Sequence, residues 1–303
     1  MKKIAIIVLN WKQPKLTVET ITSILKINHS SFIYEIVLID NGSPDNSLKI
    51  FNKKYKNNNL IKILDTKSNL GYVGGNNFGI NYALENNFDF IILLNNDVIV
   101  DQNFLEELLK ESNHYDILGP KIYFAPGFEF HKDRYQKKDL GKVIWSLGGK
   151  IDWNNIYGSN ISIDKVDHGQ FEKINENIDF ISGCCLMASR GVFKTIGLLD
   201  KNYFMYLEDV DFCQRAKRSN LKLACIPKSV IWHINSGSSK SGGDLHDYFI
   251  TRNRIYFAYK YASLRTKLAV FRESFRLFFS QSKWKRQAVI DLYKHKMNKG
   301  SWQ

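Results

Sequence analysis

The segment Tyr206-Leu207-Glu208-Asp209-Val210-Asp211 puts three carboxylates within four residues, at the expected start of a helix. Acids complement the positive end of a helix, which alone would account for them. A carboxylate there can also take the proton of a hydroxyl as that hydroxyl attacks. Asn95-Asn96-Asp97 follows an apolar run and presents Asp97 where a hard divalent cation and phosphate oxygens can be held. The same tripeptide also suits a turn. Asp40 ends another apolar run and can accept from a nucleobase or a ribose hydroxyl, although Asp40-Asn41-Gly42-Ser43 is equally good turn chemistry. His233 can ligate a cation or touch phosphate if such a site lies near, and is otherwise a structural imidazole. Arg252-Asn253-Arg254 can neutralise phosphate or form a solvated helix face.

The elements needed to position these groups are legible as alternating patterns. Apolar runs at residues 3–9, 35–40, 61–65 and 88–94 read as buried strands. Helical patterns separate them, one opened by Pro14 and one over residues 47–55. A glycine-rich loop, 69–75, leads into a helix ending at Glu85. Its glycines stand at 71, 74 and 75, which fits neither a dinucleotide fingerprint nor a P-loop, but would let backbone approach a nucleotide. Strands separated by helices predict an α/β chain with a mostly parallel central sheet flanked by helices. In such sheets ligands bind beyond the carboxyl ends of strands, where Asn10, Asp40 and Asp97 fall. Residues 125–177 are irregular and are expected to set specificity. Helices are expected at 190–196 and 209–218, and a short strand at 223–226.

Composition narrows the function classes. Of 303 residues, 44% are hydrophobic and 24% charged, which excludes a disordered chain. No apolar run approaches the ~18 residues of a membrane span. The apolar stretch after Lys3 is too short for a signal-peptide core, so a cytoplasmic protein is expected. The four cysteines lack metal-site spacing and are expected to be reduced and buried. The net charge of +13 is concentrated at one end: residues 251–303 hold 13 of the 43 Lys and Arg and only two acids, Glu273 and Asp291. A basic tail predicts an anionic partner. Nucleic acid is disfavoured, because the acids gathered at the strand ends would repel its phosphates.

Taken in order, these pieces resemble the family 2 glycosyltransferases of GT-A fold, closest to the rhamnosyltransferase-like branch that builds surface polysaccharides. The matching elements are Ile7 to Trp11, Leu38 to Ser43, Asn69 to Asn77, Leu93 to Asp97, Ser182 to Arg190, Tyr206 to Arg215 and His233 to Ser238. The resemblance spans about residues 3–260 and implies roles by position. Asn10, Asp40, Asn69, Gly71 and Asn76 would bind the nucleotide. Asp97 corresponds to the last acid of the family's DxD motif, written here with two amides, and with His233 would hold Mg²⁺ or Mn²⁺. Asp209 corresponds to the catalytic base. Glu208, Trp232, Arg252 and Arg254 would meet the acceptor or diphosphate. The implied reaction is inverting transfer of a sugar, with deoxythymidine-diphospho-rhamnose favoured, to a saccharide or lipid-linked saccharide. A nucleotide-sugar-binding protein without activity is the alternative, for which the amides at 95 and 96 speak.

The expected organisation is a catalytic domain over residues 1–260 and a basic amphipathic helical tail over 261–303. Leu264, Leu268, Phe271, Phe275, Phe278 and Phe279 recur at helical spacing among basic residues, with Trp284 beyond. Such a stripe either meets the inner face of the plasma membrane or packs on the domain.

Overall fold

The computed structural model describes residues 1–234 and 243–302. The N-terminal half alternates β1 (Lys2–Asn10), α1 (Pro14–Ile24), β2 (Phe32–Asp40), α2 (Ser47–Tyr55), β3 (Ile61–Asp65), α3 (Gly71–Glu85) and β4 (Phe90–Leu94). Then follow β5 (Val98–Val100), α4 (Phe104–Glu111), β6 (Ile117–Phe124), β7 (Ile144–Ser146), β8 (Gly149–Asp152) and β9 (Tyr157–Asn160). The chain continues with β10 (Cys185–Ser189), α5 (Arg190–Ile196), α6 (Glu208–Arg218) and β11 (Leu223–His233). Three helices complete it: α7 (Asp244–Tyr261), α8 (Leu264–Phe278) and α9 (Lys283–Tyr293). Among the described residues, no helix is long and apolar enough to cross a membrane.

The main sheet runs β3-β2-β1-β4-β10-β6-β11-β5, with β7 on β6. Its first four strands are parallel, and apolar side chains fill both faces, as continuous apolar runs require. The second half is mixed: β10 lies antiparallel between β4 and β6, while β11 is parallel to β6. The fold is therefore α/β, with a central sheet that is parallel on one side and mixed on the other.

Two expectations change. The glycine-rich loop is shorter than predicted, because α3 already begins at Gly71. Gly71 itself needs its glycine: φ is +74°, and a Cβ would stand 2.4 Å from the Phe204 ring. Gly75 is helical and brings α3 against β1, where a Cβ would meet Leu9 at 2.4 Å. The short strand expected at 223–226 extends to His233 through a register shift between Ile226 and Val230. That irregularity accommodates Pro227, which has no N–H to give the ladder.

The C-terminal helices form one layer. Asp291 on α9 is fully buried, accepts from Tyr248 of α7, and receives the Ser301 backbone N–H at 2.7 Å. The last turn thus folds back onto α7, even though the expected boundary at 260/261 coincides with that helix's end. The four cysteines are free and buried.

Candidate active site

The sheet register assembles the site. The antiparallel pair Val98↔His233 brings His233 beside Asp97. Its Nε2 lies 3.3 Å from Asp97 Oδ1, and the Asp97 carbonyl accepts the Ile234 N–H at 2.8 Å. Neither nitrogen of His233 makes a hydrogen bond to a described residue, and its ring meets Trp145 edge-on at 4.7 Å. The pair Cys185↔Leu94 sets the segment before β10 alongside Asn95, whose N–H donates to the Cys184 carbonyl.

Gly183, next in that segment, is clamped from two sides. Tyr72 donates its hydroxyl to the Gly183 carbonyl at 2.7 Å, and the Gly183 N–H donates to Asp209 Oδ2 at 2.8 Å. Asp209 Oδ1 accepts the Val210 N–H at 2.8 Å. Asp209 is thus aimed across the cleft toward Gly183, while the residue capping α6 is Leu207. Leu207 and Tyr206 are both left-handed, at φ 68° and 69°. Two such residues in succession are costly, and they turn Glu208 and Asp209 into the cleft. Asn253 of α7, fully buried, holds this turn by donating to the Met205 and Tyr206 carbonyls at 2.8 and 3.0 Å.

Neighbouring Glu208 and Asp209 differ in environment. Burial, and then the charge of Asp209, pushes the Glu208 carboxyl well above the usual carboxylate range. Asp209 is also raised by burial, but the Gly183 and Val210 N–H groups oppose the rise. Both carboxyls are thus held above the usual range, and the backbone N–H groups favour the ionised form of Asp209. The third acid of the motif, Asp211, faces away: it is fully buried and paired with Arg215, Lys260 and Tyr261.

Asp97, His233, Glu208, Asp209, Tyr72 and Trp145 line a cavity of about 390 Å³. A second, of about 700 Å³, is lined by Trp11, Lys12, Asn69, Gly71, Phe204, Lys299 and Trp302 among others. Leu9, Tyr72, Asn96 and Met205 border both, so the two form one cleft.

The model of glycosyl transferase family 2 matches residues 4–197. The chain belongs to that family. A hexosyltransferase of low-salt glycan biosynthesis, Agl10 of Haloferax volcanii, is 28% identical over 223 residues, 73% of this chain and 63% of that protein. The N-acetylglucosaminyl-diphospho-decaprenol L-rhamnosyltransferase of Mycobacterium tuberculosis is 25% identical over 219 residues, 67% of each chain. Among solved structures, GalNAc-T7 with UDP, GalNAc and Mn²⁺ superposes with a TM-score of 0.62 at 18% identity, covering 97% of this chain and 58% of that one. This likeness places the family 2 chain in the GT-A fold.

The residues named from sequence divide sharply. Asn69, Gly71, Asp97, Glu208, Asp209 and His233 line the cleft. Asp40 is nearly buried and borders a neighbouring cavity with Asp65 and Lys67. Asn10 is a buried bracket: it donates to Asp40 and Ser43, accepts from Thr17, and lines neither cavity. Asn76 is buried within α3, bonded to the Tyr72 carbonyl. Trp232 donates to the Gly141 carbonyl and stacks on Tyr123. The fully buried Arg252 guanidinium binds the carbonyls of Lys296 and Asn298, fastening the last turn. Arg254 pairs with Glu273 and the Asn155 carbonyl. Neither arginine lines either cavity. Residues 235–238 of the expected His233 element lie outside the described residues. The sequence reading missed Tyr72, Asn253, Lys299 and Trp302. Tyr72 and Asn253 stood inside motifs already singled out, whereas nothing local marked Lys299 and Trp302.

Proposed function

We propose that this family 2 chain is an inverting, metal-using glycosyltransferase that moves a sugar from a nucleoside-diphosphate donor to a saccharide or lipid-linked saccharide acceptor. The observation that carries the reading is the single cleft, in which the Asp97–His233 pair and the Glu208–Asp209 pair share one wall-to-wall cavity beside the Gly71 pocket. The rhamnosyltransferase relative supports deoxythymidine-diphospho-rhamnose as the first donor to test and a lipid-diphosphate saccharide as the first acceptor.

In this reading the nucleoside lies against Asn69, Gly71 and Trp302, with the diphosphate near Lys12 and Lys299. Asp97 and His233 fit a divalent cation: a buried carboxylate and an imidazole whose nitrogens make no hydrogen bond to the described residues offer two donors, and diphosphate oxygens complete the set. No group of three or more such side chains occurs among the described residues, which fits a cation bound largely through substrate phosphates. When bound, that cation would stabilise the charge of the departing diphosphate. Asp209, positioned by the Gly183 and Val210 N–H groups, takes the acceptor hydroxyl proton as the oxygen attacks opposite the leaving group, which inverts the anomeric centre. Glu208, whose carboxyl burial and the Asp209 charge raise further, is the less readily ionised of the two.

Release of nucleoside diphosphate from a panel of nucleotide-sugars, with and without acceptor, tests the proposal. Acceptor-stimulated release from one donor is expected. Tight donor binding without release under any condition would favour the inactive binding protein that the Asn95-Asn96 amides suggest.

Two further outcomes are expected. Trp302→Ala should weaken nucleoside diphosphate binding by about tenfold, the scale of one lost base–aromatic contact, and should also lower the melting temperature, because its ring packs on Tyr248, Phe249 and Trp284. An unchanged Kd by calorimetry would remove Trp302 from the donor site. Asn253→Ala should orphan two carbonyls of the strained turn, at about 1–3 kcal/mol, and lower kcat more than donor affinity. Unchanged kcat would show that the turn holds itself.

A further inference from the structure

The helix α8 exposes what a packed helix would bury. Thr266, Val270 and Ser274 face inward and are buried. Leu264, Leu268, Phe271, Phe275 and Phe278 recur on the opposite face, followed by Phe279, with exposures from 43% at Phe278 to 73% at Leu264. Polar contacts do much of the work of docking this helix: Arg254 of α7 pairs with Glu273, and the Ser274 hydroxyl meets that of Tyr293 on α9 at 2.7 Å. The large side chains are thus left unused by the fold, and a contiguous apolar stripe of this kind marks an interaction surface.

Charge identifies the occupant. Arg265, Lys267, Arg272 and Arg276 flank the stripe, and Glu273, the one acid of α8, is already paired. We propose that the exposed face of α8 seats the protein on an anionic lipid surface, aromatic side chains in the headgroup boundary and cations against the phosphates. A second copy packed through the same stripe would bring like cations together, a repulsion that an anionic bilayer converts into attraction. Trp284 takes no part as an anchor, because its ring lies 4.5 Å from that of Trp302, inside the helical layer. The same layer supplies Leu245, Lys299 and Trp302 to the cleft, so a docked α8 would hold the site near the bilayer. The inference stands on α8 alone and goes beyond the proposed reaction, although a lipid-linked acceptor would give it a purpose.

The full-length chain should sediment at low salt with vesicles of phosphatidylcholine containing one-third phosphatidylglycerol, and much less with phosphatidylcholine alone. Salt should weaken binding. Changing Phe271, Phe275 and Phe279 together to Ser should reduce the bound fraction by about tenfold or more, with melting temperature unchanged because these side chains are exposed. Changing Arg265, Lys267, Arg272 and Arg276 to Gln should abolish the preference for anionic vesicles. The proposal is overturned if wild type ignores anionic vesicles at low salt, if the Ser variant binds equally well, or if wild type is a dimer that the Ser variant dissociates. Donor turnover with a water-soluble acceptor, followed on the same samples, should be equal in wild type and the Ser variant. Its absence in both, with vesicle binding intact, would count against the proposed reaction and leave the lipid surface standing.

Discussion

Asp209→Asn is expected to leave donor affinity near that of wild type and to lower transfer by about 10²–10⁴-fold, the contribution of a positioned general base. The amide keeps the shape, and its one oxygen can accept either the Gly183 or the Val210 N–H but not both, so α6 should remain in place at a modest cost in stability. What it cannot do is take a proton. A merely capping role would give a different result, because Asn caps as well as Asp and turnover would hardly change. The pH profile adds a second check. The base must be ionised to act, and burial raises the Asp209 carboxyl above its ordinary value. Activity should therefore fall, as pH is lowered, at a higher pH than an ordinary exposed aspartate would dictate. An acid limb at the usual aspartate position would mean that the base lies elsewhere.

Asp97→Ala is expected to reduce activity by about 10²-fold or more through loss of metal-supported diphosphate binding, on the scale of the several kcal/mol that a cation gives a developing charge. Mn²⁺ titration in the presence of nucleoside diphosphate should show weakened binding, while melting in metal-free buffer changes little. Chelator should bring wild type close to the variant. Full turnover in excess chelator would contradict the role given to Asp97 and His233.

The parallel half of the fold was legible because the inner strands are buried on both faces, so residues 36–39 read as an unbroken apolar run, while the edge strand 61–65 showed through Ile61, Ile63 and Leu64 despite the exposed Lys62. The helices at 47–55 and 190–196 matched to the residue, as their polar and apolar positions alternate at helical period. Strand β11 was cut short in prediction because Pro227 normally ends pairing, and only the neighbouring strand reveals the irregularity that carries it through. Gly74 and Gly75 argued for a loop by intrinsic propensity, yet close packing of α3 on Leu9 overrides that preference.

The site was legible where a residue's type announces its chemistry at the end of a strand or the start of a helix, as at Asp97 and Glu208-Asp209. It was illegible where polar residues serve the scaffold. Nothing in the sequence separates Asn10, spent on Asp40, Ser43 and Thr17, from an amide that faces a ligand. Arg252-Asn253-Arg254 left a phosphate contact and a solvated helix face both open, whereas its three side chains fasten the last turn, the strained turn before α6, and α8 respectively. Lys299 and Trp302 reach the cleft only because the chain's end folds back through Asp291, a contact between distant segments that no local pattern encodes.

The anomeric configuration of the product tests the central claim most directly. Asp209 as a proton acceptor, with attack opposite the departing diphosphate, requires a single displacement. Nuclear magnetic resonance of the purified glycoside should show the linkage inverted relative to the donor sugar. A product that retains the donor's configuration would contradict the account.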